Sequence, residues 1–267
     1  MPINECSLPI TDLSIQRGVG TFDSVRIYEG RAFALDMHLK RLCKSAKGAG
    51  IQSDNLMPEI REVIIKFLSK EENSKFDGIA KPYITGGDIN NKGNFPSPRF
   101  FVIFEDVHLP SPEQRKNGIA LEANHMARPF PLVKSTNYLY GLIPLSKATS
   151  NFESLYITDG KITEAMSSNF FLCIDGKIVT APIGEVLNGV TRDIILTLAK
   201  EHGFKIEERC PLESELAKAD EAFITGTVKE ILSVVKVSNQ KIGSGYPGPV
   251  AQILHQLFII NRERWLL

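Results

Sequence analysis

The sequence predicts a two-domain α/β protein, on three observations. Leu35, Leu39, Leu42 and Ala46 recur at helical spacing, whereas Phe22, Ser24, Arg26 and Tyr28 alternate with Asp23, Val25 and Ile27 at strand spacing. Asp175-Gly176 stands between the β-prone runs Phe170–Ile174 and Lys177–Val179, a hairpin signal because both turn residues must tolerate positive φ. The polar, proline-bearing stretch His108–Gly118 interrupts these patterns and reads as a linker. We therefore expect a smaller N-terminal domain over 1–108, a linker at 109–117 and a larger C-terminal domain over 118–267.

In order, Gly18 and Gly20 permit a tight turn before the strand Phe22–Tyr28, and Glu29-Gly30 turns it into Arg31–Ala34. The helix over 35–49 has Asp36 early and Lys44 and Lys47 late, which suits the helix dipole, and Gly48 ends it. A second helix spans 56–69, with Ile60, Val63, Ile64, Phe67 and Leu68 as its apolar set. Ile79–Thr85 and Arg99–Glu105 read as strands around the loop Gly86–Pro98, placed to reach over a substrate and flanked by Lys81 and Arg99. Ile119–Ala123 restarts as a strand, and Lys134 follows an apolar, proline-bearing run and precedes a helix. After the hairpin come the amphipathic segment Asp193–His202, short strands at Phe204–Glu207 and Ala222–Thr225, and a closing helix over Ala251–Phe258.

Composition excludes several classes of function. With 31 basic and 31 acidic residues, no net field draws the chain to nucleic acid or an anionic membrane. Cys6, Cys43, Cys173 and Cys210 are scattered, without Cys-x-x-Cys or zinc-type His spacing, so they read as reduced thiols with no metal. No apolar run reaches about 18 residues, and a soluble, cytoplasmic protein is expected.

The stretch Gly160–Arg192 carries the candidate chemistry. Glu164 precedes the hairpin, and Gly189-Val190-Thr191-Arg192 runs into a helix, where backbone N–H groups form an anion site. Taken singly, such a glutamate is more often solvated and such a glycine more often a cap. Lys134 either caps a strand end or supplies an amine; Arg41 either pairs on the surface or grips a phosphate with its planar fork. Thr225-Gly226-Thr227-Val228 offers donors to an anion or forms an ordinary turn.

Order and spacing of these residues resemble fold type IV pyridoxal-phosphate (PLP) enzymes, the class IV aminotransferases: D-amino-acid and branched-chain transaminases, R-selective amine transaminases and aminodeoxychorismate lyases. The likeness lies in Glu164 followed by Ser-Ser-Asn-Phe-Phe, Thr180-Ala-Pro and Gly189-Val-Thr-Arg, and it extends over nearly the whole chain. The run His38–Ala46 matches the family's His-x-x-Arg-Leu-x-x-Ser-Ala, and Lys134-Ser-Thr-Asn matches its Lys-x-x-Asn. Asp23 departs from the usual glutamate, and the Asn-Gly hairpin that often opens these enzymes is missing.

The resemblance implies a D-amino-acid aminotransferase-like fold with PLP between two domains and the Schiff-base lysine, Lys134, in the C-terminal one. It assigns cofactor binding to Arg41, Tyr138, Glu164, Val190, Thr191, Gly226 and Thr227, and substrate contact to Phe22, Arg26, Thr227 and Val228; Arg26 is the expected carboxylate anchor and His38 a structural residue. The implied activity is amino transfer between a D- or branched-chain amino acid and a 2-keto acid, by a homodimer. The alternative within the family is an aminodeoxychorismate lyase that releases pyruvate to give 4-aminobenzoate. A non-catalytic sensor on the same fold would lack the lysine or the carboxylate, and this chain has both.

Overall fold

Two units build the computed structural model, which describes residues 3–88, 95, 97–146 and 151–267. The first unit holds Met1–Val107, Val133–Asn137 and Trp265–Leu267; the second holds His108–Leu132 and Tyr138–Arg264.

The first unit contains α1 (Leu13–Arg17), β1 (Gly20–Phe22), β2 (Val25–Tyr28), β3 (Arg31–Ala32), α2 (Leu35–Gly48), α3 (Leu56–Leu68), β4 (Gly78–Thr85) and β5 (Arg99–Asp106). Its antiparallel sheet has β4 at the centre, with β5 along one edge and β1 and β2 end to end along the other. The expected strand from Phe22 to Tyr28 is thus two strands in one register, since Phe22 faces Tyr83 and Val25 faces Ala80. The break lies opposite Pro82, which has no N–H for the ladder; Asp23 donates its N–H to the Pro82 carbonyl at 3.0 Å. Val25, Ile27, Ala80 and Ile84 form a core with Leu35, Leu39, Leu42 and Ala46 of α2 and with Ile60 and Ile64 of α3.

Lys134 does not lie in the C-terminal unit, where the sequence reading put it. Phe22 donates its N–H to the Lys134 carbonyl at 3.1 Å, and Thr136 donates to Gly20 at 3.0 Å. Residues 133–137 thereby extend the first sheet along β1, a pairing across more than a hundred residues of chain.

The second unit contains α4 (Pro112–Asn117), β6 (Ile119–Asn124), α5 (Leu139–Leu145), β7 (Glu153–Thr158), β8 (Lys161–Ala165), β9 (Asn169–Ile174), β10 (Lys177–Thr180), α6 (Val190–Glu201), β11 (Ile206–Glu208), β12 (Glu221–Gly226), β13 (Glu230–Val237), β14 (Gln240–Lys241) and α7 (Pro249–Asn261). Its sheet runs β11-β10-β9-β12-β13-β6-β7-β8, and β8 pairs back onto β9, which closes a ring. Phe170, Leu172, Ile224, Leu232, Leu121, Leu155 and Ile162 fill its interior. The expected hairpin is present, with Asp175 at φ 52° and Gly176 at φ 69°. The segment at 109–117, read as a linker, carries α4, opened by Ser111, whose Oγ accepts the Gln114 N–H at 3.1 Å.

Candidate active site

In the first unit, one face of α2 organises the site residues. His38, Arg41 and Ser45 follow one another at helical spacing. Asp23 is fully buried and lies between them: Arg41 donates to it from Nε at 2.8 Å and from Nη2 at 2.7 Å, and His38 Nδ1 lies 2.7 Å away. Burial works against the Asp23 charge, but Arg41 and His38 outweigh it and hold the carboxyl far below the usual range. Burial lowers the proton affinity of His38, opposed by Asp23 and aided by the charges of Arg41 and Lys134. A neutral His38 then donates from Nδ1 and a charged Arg41 is fixed in orientation.

Ser45 accepts the backbone N–H of Lys134 at 3.1 Å. The Lys134 side chain is buried, with its ammonium 4.6 Å from the ring centre of Phe22. Phe22 stacks on Tyr83, and Tyr83 on Phe101, at 5.4 and 4.9 Å, so an aromatic row crosses β1, β4 and β5 beside the lysine.

Arg26 is not placed to anchor a substrate. Its guanidinium donates to the carbonyls of Ile27 and Gly78, pairs with Asp77 and lies over the Tyr28 ring, and the residue is buried. Lys81 is likewise paired with Glu105, and Arg99 with Asp12 and Asp88. The loop Gly86–Pro98 lies in part outside the described residues.

In the second unit, Glu164 ties the two halves of the central stretch together. It is 2 % exposed. Arg128 pairs with its Oε1, while Oε2 accepts from Leu187 N–H at 3.2 Å and from Asn169 Nδ2 at 3.5 Å. Asn169 also donates to the Leu187 carbonyl at 2.9 Å, so β8, β9 and the turn before α6 share one polar junction. Gly189 is required there, because a Cβ would lie 1.9 Å from Asn169 Oδ1. Gly189 is also the N-cap of α6 and offers no capping side chain to the first N–H groups, among them those of Val190 and Thr191. Arg192, almost fully buried, fixes this end of α6 by donating to Ala181 O and Glu208 at 2.8 Å each.

Tyr138 is the N-cap residue of α5. Burial raises its pKa, Glu153 and Glu164 add to this, and Arg128 and Lys229 oppose it, so the hydroxyl stays protonated at neutral pH as a donor. Gly226, Thr227 and Val228 lie at the turn between β12 and β13. Next to them Thr225 Oγ1 is buried without a hydrogen-bond partner among the described residues.

Sequence reasoning missed Arg128 and Asn169 as parts of this junction. Asn169 stood inside the Ser-Ser-Asn motif, and an arginine within the apolar run before Lys134 was a visible signal for Arg128.

The sequence matches the family model for amino-transferase class IV over residues 20–237. The chain belongs to this family. It is 34% identical to a D-alanine aminotransferase of Bacillus licheniformis, across 94% of this chain and 90% of that one. Its fold matches the branched-chain amino acid aminotransferase of Escherichia coli with a TM-score of 0.84 at 26% identity, covering all of this chain and 95% of the other. A 4-amino-4-deoxychorismate lyase of Pseudomonas aeruginosa shares the fold, with a TM-score of 0.81 at 22% identity over 96% of each chain.

Family members use PLP, and the donor set fits that group. A buried carboxylate suits a protonated ring nitrogen, an uncapped helix start and the Thr225 hydroxyl, which has no partner among the described residues, suit a phosphate, and a buried lysine suits an aldehyde.

Proposed function

We propose that this chain is a PLP-dependent aminotransferase that moves the amino group of a D-amino acid to a 2-keto acid. The 34% identity to a D-alanine aminotransferase across 94% of the chain carries this choice of substrate. Branched-chain amino acids are the next candidates, on the likeness to the Escherichia coli enzyme.

When bound, PLP supplies a ring that accepts the electrons left as the substrate Cα loses its proton. Lys134 Nζ tethers the cofactor and then carries the Cα proton, first as base and then as acid. Glu164, backed by Arg128, Asn169 and the Leu187 N–H, holds the proton on the ring nitrogen. Tyr138 donates to the phenolic oxygen. In the first unit Arg41, oriented by Asp23, is the proposed phosphate ligand; in the second unit the N–H groups of Val190 and Thr191 and the turn at Gly226 and Thr227 are the proposed phosphate donors. Phe22, Thr227 and Val228 border the substrate. Arg26 has no part in this proposal, because Asp77 and two carbonyls already hold its guanidinium. The proposed assembly is a cytoplasmic homodimer acting on small amino and keto acids.

A donor comparison tests the reading. With 2-oxoglutarate as acceptor, D-alanine should turn over faster than L-leucine, and the reverse order would assign the branched-chain activity instead.

A further inference from the structure

The turn between β12 and β13 is fastened to the turn between β8 and β9 by one side chain, Lys229. Its ammonium donates to Glu153 Oε2 at 3.0 Å, Ser167 Oγ at 2.6 Å and Ser168 Oγ at 2.7 Å. A lysine has three N–H donors, and here each has a partner within the protein. Lys229 is therefore spent on the fold and does not anchor a substrate anion directly.

Glu153, on β7, is 2 % exposed. Its Oε2 also accepts the Ser167 N–H at 3.2 Å and hydroxyl at 2.6 Å, while Oε1 has no partner among the described residues. Burial opposes the Glu153 charge, and Lys229 with the serine hydroxyls overcomes it. Lys229 is the cation that compensates this buried carboxylate.

The two serines lie where the position of Glu164 is decided. β8 and β9 pair at Glu164 and Asn169, and Ala165 donates its N–H to the Ser168 carbonyl at 2.8 Å to close the turn between them. Glu164 and Asn169 share a hydrogen bond at 3.5 Å. On the other side, Lys229 is the last residue of the turn that carries Gly226, Thr227 and Val228.

We propose that Lys229 is a positioning residue: paired with Glu153, it locks the Ser167–Ser168 turn to the Thr227–Lys229 turn and so fixes Glu164 and the Gly226–Val228 donors for the cofactor. The inference rests on the proposed PLP reading of these residues.

The test is the PLP dissociation constant, by equilibrium dialysis, for the wild type, K229M, E153Q and K229M/E153Q, with melting curves of the PLP-free proteins. K229M should bind PLP about tenfold more weakly, the effect of losing one charge-assisted hydrogen bond. The visible circular dichroism of the bound cofactor should change with it. In the double variant the losses should be less than additive, because the two residues act as one device. A lower melting temperature with an unchanged dissociation constant would mark a purely structural ion pair and overturn the inference. Should K229M fail to fold, K229M/E153Q, which leaves no buried charge stranded, carries the test: weakened binding supports the inference and unchanged binding overturns it. Failure of the wild type to bind PLP would instead remove the cofactor reading and the inference together.

Discussion

Ser45 Oγ accepts the backbone N–H of Lys134 at 3.1 Å, and both residues are buried. Ser45 lies one helical turn beyond Arg41 on α2, so the face that orients Arg41 through Asp23 also holds the strand carrying the lysine. One short helix thus sets the two first-unit residues proposed for the cofactor.

Ser45→Ala is predicted to remove this acceptor from a buried N–H, at a cost of about 1–3 kcal/mol in stability, and to lower kcat. Urea denaturation and steady-state turnover check it. Unchanged stability and turnover would show that the bond does not hold Lys134.

The acid response of the first unit should depend on His38. Burial lowers its proton affinity below the ordinary value of 6.5, so as pH falls through that value the unfolded chain takes up a proton that the folded chain does not. Stability present above this pH is therefore lost below it, at up to about 1.4 kcal/mol per pH unit. His38→Asn keeps a donor for Asp23 and does not titrate, so it should lose less stability than the wild type between roughly pH 7 and pH 5. Parallel pH profiles of the two proteins would contradict the assignment.

Glu164→Gln should keep PLP but lose kcat by about a hundredfold or more, because a neutral amide does not hold a proton on the ring nitrogen. Cofactor content and turnover are measured on the same preparation. A rate equal to the wild type would remove Glu164 from the chemistry.

Gly189→Ala is predicted to destabilise the second unit by about 1–3 kcal/mol and to weaken PLP binding. The added Cβ would lie 1.9 Å from Asn169 Oδ1, so Asn169 must move and strain its bonds to Leu187 and Glu164. Denaturation and dialysis report the two effects separately.

Local pattern made α2, α3 and the Asp175-Gly176 hairpin legible in the sequence, because each is decided by neighbours in the chain. The strands β7, β8 and β13 were not read. In β7 every residue but the last is buried, so there is no alternation to see, and its first two, Glu153 and Ser154, are polar. The family resemblance made Arg26 a candidate pocket residue, but its partner Asp77 lies 51 residues away and no local pattern announces the pair. Lys229 and Glu153 are 76 residues apart, and neither position signals the other. The motifs exposed Arg41, Lys134 and Glu164 individually; the contacts that support them arise only on folding.

The most direct measurement is the visible absorption spectrum of the wild type and of Lys134→Ala with PLP, before and after D-alanine. For the wild type the account predicts a band of bound cofactor that D-alanine converts, with stoichiometric pyruvate and sustained turnover only when a keto acid is added. Lys134→Ala should show neither the conversion nor the turnover. Amino transfer by Lys134→Ala at the wild-type rate would contradict the role of the lysine, and sustained pyruvate release from aminodeoxychorismate without an acceptor would make the enzyme a lyase.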